Sequence, residues 1–295
     1  IYFRPTFHYG LYKGFRPTVR DRLVGWRKAF LLQRVLSKQE LCNLLSVDAT
    51  ATPYIREHFH TTARIAHFPD SFPRSRPSQE QVAKLRRDLG IESNRIVFCM
   101  IGVLDNRKGP LQLIESIQHI PEDAAKKICI LLVGRVTESL RQALTEAIRK
   151  AKSTSKAQVI LYDSYIPPAE IQSYYTLSDV MLTTYQFHKG SSSALIHAAY
   201  ENKPVLSSNF GWLGHMVRTY KMGIDIDSSD PKKIAIGISK FVDSDPLAFI
   251  DCNLATQLAS DNSQEQLAQE LALLLEEGSF TKSPRPEYAS NAGVR

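Results

Sequence analysis

Apolar residues in this chain fall in short unbroken runs separated by stretches that are apolar only at every third or fourth position. A run apolar throughout suits a strand buried on both faces, and the sparser pattern suits a helix lying across it. From about Arg95 the alternation is regular. It predicts a strand at 96–101, a helix from Pro110 to Ile120, a strand at 128–133 and a helix from Thr137 to Lys152. Next come a strand at 159–162, a helix from Pro168 to Leu177, a strand at 180–183, a helix from Ser192 to Glu201 and a strand at 205–207. Past Gly211 to Tyr220, a short strand at 223–226 precedes a helix from Pro231 to Val242. Six strands with intervening helices predict the α/β class, with a doubly wound, parallel, Rossmann-like sheet.

Ahead of this unit, Leu41 to Val47 reads as a strand, Thr52 to His58 as a short helix and Arg64 to Phe68 as a second strand, the end of a preceding α/β domain. Residues 69–78 are rich in proline and serine, as an interdomain linker is. Gly278 to Arg295 has little apolar content and reads as a mobile tail. The expected organisation is therefore 1–70 for the end of an amino-terminal domain, 71–277 for the Rossmann-like domain and 278–295 for the tail.

With 295 residues, 43% of them hydrophobic, the chain can fill such cores. No apolar run approaches the roughly 20 residues that span a bilayer, and the start at Ile1 lacks the basic-then-apolar order of a secretory signal. A cytoplasmic location is expected. The start also lacks methionine, so the chain reads as a fragment or a processed product. Cys42, Cys99, Cys129 and Cys252 lie far apart, two of them inside apolar runs, and predict neither a disulfide nor a metal site.

The net charge of +7 matters through its distribution. Lys13, Arg16, Arg20, Arg22, Arg27, Lys28, Arg34 and Lys38 crowd one helix-like stretch, interleaved with Phe15, Leu23, Val24, Trp26, Phe30, Leu31 and Leu32. A solvated helix face is the first reading, peripheral contact with an anionic membrane or lipid-linked phosphate the second, and nucleic acid the least favoured; no nucleic-acid partner is expected.

A doubly wound sheet binds ligands beyond the carboxyl ends of its strands, so the loops there are the candidate sites. Gly102 to Gly109 leaves a buried strand with two adjacent cations, Arg107 and Lys108; a phosphate contact and an ordinary solvated turn are both open. Gly190-Ser191-Ser192-Ser193 opens a helix behind His188 and Lys189, where small side chains would let an anion reach unpaired amides, although serine is also an ordinary helix cap. Val133-Gly134-Arg135 is either a third ligand loop or a tight turn. There is no Walker loop, strict G-x-G-x-x-G, zinc spacing or nucleophile elbow, which excludes dehydrogenase and P-loop readings.

Together these loops resemble the carboxyl-terminal domain of GT-B glycosyltransferases, especially the retaining enzymes of glycosyltransferase family 4, over roughly Arg64 to Leu275. The similar features are Gly102 with Lys108-Gly109, Val133-Gly134, the tract from Val159 to Val180 with Ser178-Asp179, and, most specifically, Gly190 through Ser207. Two glutamates eight positions apart are common in that family; Lys189 and His197 stand at those positions here. Val103 stands where the family often has arginine.

The resemblance implies a transferase that moves a sugar from a nucleotide-sugar to an acceptor hydroxyl, saccharide or lipid-linked, with retention and with neither metal nor cofactor. It implies that Lys108 and the amides of Ser191, Ser192 and Ser193 hold the diphosphate, that Tyr165 and Ile166 frame the base, that Lys189 and Gly190 flank the donor, and that His197 meets the ribose. No catalytic residue is assigned, since the family's acceptor-side residues would precede Ile1. The alternatives are a non-catalytic protein that binds a nucleotide-sugar or a partner chain, and an epimerase of the same fold.

Overall fold

The computed structural model describes residues 18–71 and 76–276. Lys13, Phe15 and Arg16 of the basic stretch, the middle of the linker and the expected tail lie outside the described residues.

The basic stretch forms helix α1 (Val19–Leu36), started by a reciprocal cap: Asp21 N–H donates to Thr18 Oγ1 at 3.1 Å and Thr18 N–H to the Asp21 carboxylate at 3.0 Å. Strand β1 (Asn43–Ser46), helix α2 (Ala51–His58) and strand β2 (Arg64–His67) follow, within two residues of their expected limits. β1 and β2 pair in parallel, and Leu32 and Leu36 of α1 pack on Ala51, Ile55 and Ile65.

Helix α3 (Gln79–Asp88) was not anticipated, because it buries no residue fully and its sequence is mostly polar. Ser78, expected to close the linker, is its N-cap and accepts from Gln81 N–H at 3.2 Å. After it come β3 (Ile96–Ile101), α4 (Pro110–Ser116), the short α5 (Glu122–Ala125), β4 (Ile128–Val133), α6 (Glu138–Thr154), β5 (Gln158–Tyr162), α7 (Pro168–Leu177) and β6 (Val180–Thr183). The chain continues through α8 (Ser193–Tyr200), β7 (Val205–Ser208), α9 (Gly211–Thr219), β8 (Gly223–Ile226) and α10 (Pro231–Val242) to α11 (Cys252–Asp261) and α12 (Gln264–Glu276). α11 packs on α8, and Glu270 of α12 reaches back to Arg64 of β2 at 3.4 Å.

The six strands run parallel in the order β5-β4-β3-β6-β7-β8, so the winding reverses between β3 and β6. This is the doubly wound sheet expected from the sequence. Its central strands are buried on both faces, and their alternation divides the core in two. Val97, Cys99 and Ile101 face the layer of Tyr175, Leu195 and Trp212, whereas Phe98 and Met100 face that of Leu113, Leu140 and Phe241. Burial pushes the Cys99 and Cys129 thiols up to about 12, so both remain protonated packing groups.

Phe241 of α10 is fully buried, edge-on to Phe98 at 6.1 Å and to Phe249 at 4.8 Å. Phe241→Ala should destabilise the fold by about 3–5 kcal/mol through lost burial and a residual cavity. The check is urea unfolding, with a lower midpoint at an unchanged slope.

Candidate functional site

Where the winding reverses, the connections leaving β3 and β6 run to opposite sides of the sheet and leave a crevice between them. A cavity of about 550 Å³ lies there. One wall is the loop after β3, another the loop between β6 and α8, and the back is formed by Ile171 and Tyr175 of α7.

The first loop is built to place a cation. Gly102 leaves β3 with φ +103°, a conformation open to glycine, and a Cβ there would lie 2.7 Å from Lys108 Nζ. The chain then turns through a single 3-10 turn, residues 106–108, capped by Asp105, whose carboxylate accepts from Lys108 N–H at 3.1 Å. Lys108 is only 7% exposed, whereas Val103, Asn106 and Arg107 of the same turn are exposed. Its ammonium donates to the Ile101 carbonyl, and the ammonium has three donors in all. Lys108 Nζ and the Arg107 guanidinium each lie 5.3 Å from the Tyr185 ring centroid, so that aromatic face holds two positive charges at the cavity edge.

The second loop is tied to the first. Gln186 N–H donates to the Arg107 carbonyl at 2.7 Å, and Ser228 Oγ donates to the Tyr185 carbonyl at 2.9 Å. Ser191, Ser192, Ser193 and Ala194 line the cavity as α8 begins. Ser192 occupies the N-cap position, yet its side chain makes no capping bond; its hydroxyl lies 3.5 Å from Tyr185 Oη. The ordinary capping role is therefore not the one this serine plays. The first turn of a helix presents amides with no intrahelical acceptor and about half a positive charge, so this end of the cavity suits an anion.

His197, a turn further along α8, also lines the cavity. Its ring stacks on Tyr175 at 4.9 Å and 16°, and Nδ1 lies 3.3 Å from Gln172 Oε1. Burial lowers its pKa from 6.5 to about 4, so the ring is neutral at pH 7.

Among the residues expected from the sequence, the cavity brings together Gly102, Lys108, Ser191, Ser192, Ser193 and His197. Gly134, with φ +126°, presses against Gly102, since a Cβ on it would lie 2.2 Å from the Gly102 carbonyl oxygen; it supports the wall from behind. Tyr165 is 63% exposed and Ile166 packs in the core, and neither lines the cavity. Gly190 is buried within the same loop but does not line the cavity, and Lys189 pairs with Asp21 of α1 at 2.5 Å. This pairing and the cap on Thr18 hold the Asp21 carboxyl down at about 2. Tyr175, Tyr185, Gln172 and Asp70 were not foreseen. Tyr175 and Gln172 carry only the ordinary helical spacing of a packed face, and Asp70, whose carboxyl burial pushes up, lies in the linker. Among the described residues no cluster of metal-ligating side chains occurs, and no helix is long and apolar enough to cross a membrane.

Residues 81–260, more than half of the chain, match the family described as glycosyl transferases group 1. A D-inositol 3-phosphate glycosyltransferase of Corynebacterium jeikeium is 22% identical over 83% of this chain and 59% of its own length. That of Corynebacterium kroppenstedtii is 21% identical over 72% of this chain and 47% of its own. The chain thus spans about half the length of the curated relatives it matches. Among solved structures, Anabaena HepE in complex with UDP superposes with a TM-score of 0.66 at 18% identity, covering 86% of this chain and 68% of HepE. WaaG, a glycosyltransferase involved in lipopolysaccharide biosynthesis, superposes at 0.60 and 18%, covering 91% and 71%. These likenesses show a shared fold.

An imidazole held neutral in the fold but free to ionise when unfolded lowers stability as pH falls from 6.5 toward about 4, where the loss levels off. The group should account for on the order of 3 kcal/mol over that window. His67 is lowered by burial too, so the test compares His197→Gln with the parent in urea unfolding at pH 7 and pH 4.5. The variant should lose less stability on acidification.

Proposed function

Because the chain belongs to the glycosyl transferases group 1 family, we propose that its cavity binds a nucleotide-sugar and that the whole protein moves the sugar to an acceptor hydroxyl, with retention and without a metal ion. The observation that carries this reading is the pairing, in one cavity, of a cationic end with a neutral one. Lys108, Arg107 and the start of α8 form the first, and His197 on its Tyr175 platform forms the second. The diphosphate belongs at the first and the nucleoside at the second. HepE, which shares the fold, has been solved with UDP and with UDP-glucose, which supports this class of donor.

In the transfer, the acceptor oxygen bonds to the anomeric carbon, the bond from that carbon to the diphosphate breaks, and the hydroxyl proton passes to the departing diphosphate. Charge grows on that leaving group, and fixed cations and amides aimed at it lower the barrier with little reorganisation. A protein that only holds the nucleotide-sugar is the second reading, favoured by the Lys189–Asp21 ion pair where the family often has a glutamate. A nucleotide-sugar panel separates the cases. A donor at a hundred times its dissociation constant should stabilise the protein by about 2.7 kcal/mol. Glycosylated acceptor with free nucleoside diphosphate then marks the transferase, an altered donor the epimerase, and binding without turnover the non-catalytic protein.

Ser192→Ala should bind donor nearly as the parent does, whereas Ser192→Asp, which sets a negative charge at the start of α8, should abolish binding in a folded protein. Lys108→Ala should weaken nucleoside diphosphate binding about ten- to a hundredfold. Calorimetry that finds Ser192→Asp binding like the parent would move the donor site elsewhere.

The exposed face of α1 gives the acceptor side a surface. Val19, Leu23, Trp26 and Phe30 form one stripe, Trp26 is 71% exposed and stacks on Phe30 at 6.0 Å, and Arg20, Arg22, Arg27, Arg34 and Lys38 are exposed around it. We read this face as a peripheral contact with anionic lipid, the setting of a lipid-linked acceptor. Co-sedimentation with phosphatidylserine vesicles should exceed that with phosphatidylcholine and fade between 50 and 500 mM salt, roughly as screening shortens. Equal co-sedimentation would assign the face to the remainder of the protein or to solvent.

A further inference from the structure

Glu201 closes α8 one turn beyond His197, and its carboxylate does not stand alone. Gln172 Nε2 donates to Glu201 Oε1 at 2.6 Å, Thr176 Oγ1 lies 3.0 Å from the other carboxylate oxygen, and Lys203 Nζ donates to the Thr176 carbonyl at 3.0 Å. Gln172, only 3% exposed, therefore has its amide orientation decided. A carboxylate can only accept, so the NH2 must face Glu201 and the amide oxygen must face the other way, toward His197. An amide oxygen also only accepts. At 3.3 Å from it, Nδ1 of His197 must carry the proton.

We propose that Gln172 and Glu201 are positioning residues that hold His197 as the Nδ1-protonated tautomer, so that its Nε2 presents an acceptor to a hydroxyl of the ligand in the cavity. The ring is clamped as well as polarised, since Tyr175 stacks on its face while Gln172 fixes its edge. The arrangement keeps a carboxylate's orienting effect while placing a neutral ring, and not the Glu201 carboxylate, at the cavity wall. With a nucleotide-sugar in the cavity, which rests on the function proposed above, the hydroxyl is that of the ribose.

The relay is tested without ligand by long-range nitrogen–proton correlation NMR on the uniformly labelled protein, with His197→Gln giving the assignment. His197 should show a protonated Nδ1 and an unprotonated Nε2. Gln172→Leu removes the acceptor, and Glu201→Gln frees the Gln172 amide to turn; each should raise the Nε2-protonated population, which a role confined to packing α7 on α8 would not do. An Nε2-protonated ring in the parent overturns the inference. On the binding side, the parent should prefer UDP to 2′,3′-dideoxyuridine diphosphate by about two- to tenfold, the worth of one neutral hydrogen bond, and Gln172→Leu should bring that ratio toward one. A ratio unchanged in Gln172→Leu overturns the hydroxyl contact. If UDP does not bind while the Nδ1-protonated form is seen, the uridine donor reading falls and the relay stands.

Discussion

A parallel sheet buried on both faces leaves its chemistry only one exit. The central strands β4, β3, β6 and β7 are paired on both sides and direct their apolar side chains into two buried layers, so little polar is offered from within. At the seam between β3 and β6 the connections part, and backbone, cation and helix end become accessible together. The position of the cavity follows from strand order, before any side chain in it is considered.

What fills that seam is governed by how closely backbones approach. Gly134 lies against Gly102, and Gly102 lies against the Lys108 ammonium, so a lysine tip occupies space that side chains would otherwise fill. Burying an ammonium is costly unless its donors are met and its charge is balanced. Here a strand-end carbonyl and an aromatic face meet part of that need. Under the function proposed above, the donor's diphosphate would meet the rest.

The fold was largely legible in the sequence because its strands are apolar without interruption and its main helices carry regular apolar stripes, as Leu140, Leu144, Ile148 and Ala151 do in α6. α3 escaped because its apolar positions are few, and α5 because four residues carry no period; α11 and α12 were likewise not anticipated. The site was legible where one loop carries its own signal, as in Gly102 with Lys108 or the serines before α8. It was not legible where partners meet only through packing: Tyr175 and Gln172 come from α7, Glu201 from the end of α8, and their meeting is a property of the helix pair. Tyr165 and Ile166 show the converse, residues singled out by resemblance that stand outside the cavity wall.

The ion pair between Lys189 and Asp21 joins the loop before α8 to a helix 168 residues earlier in the chain. Both side chains are about one-third exposed, and a pair in that setting is worth about 0–1 kcal/mol. A join so weak is a clasp, closed and reopened by thermal motion. Its contribution to the contact between α1 and the loop before α8 is a factor of about five at most. The helix itself is held by Leu32 and Leu36 against Ala51, Ile55 and Ile65, so screening this pair would loosen one tie to the loop while its apolar seat stays in place.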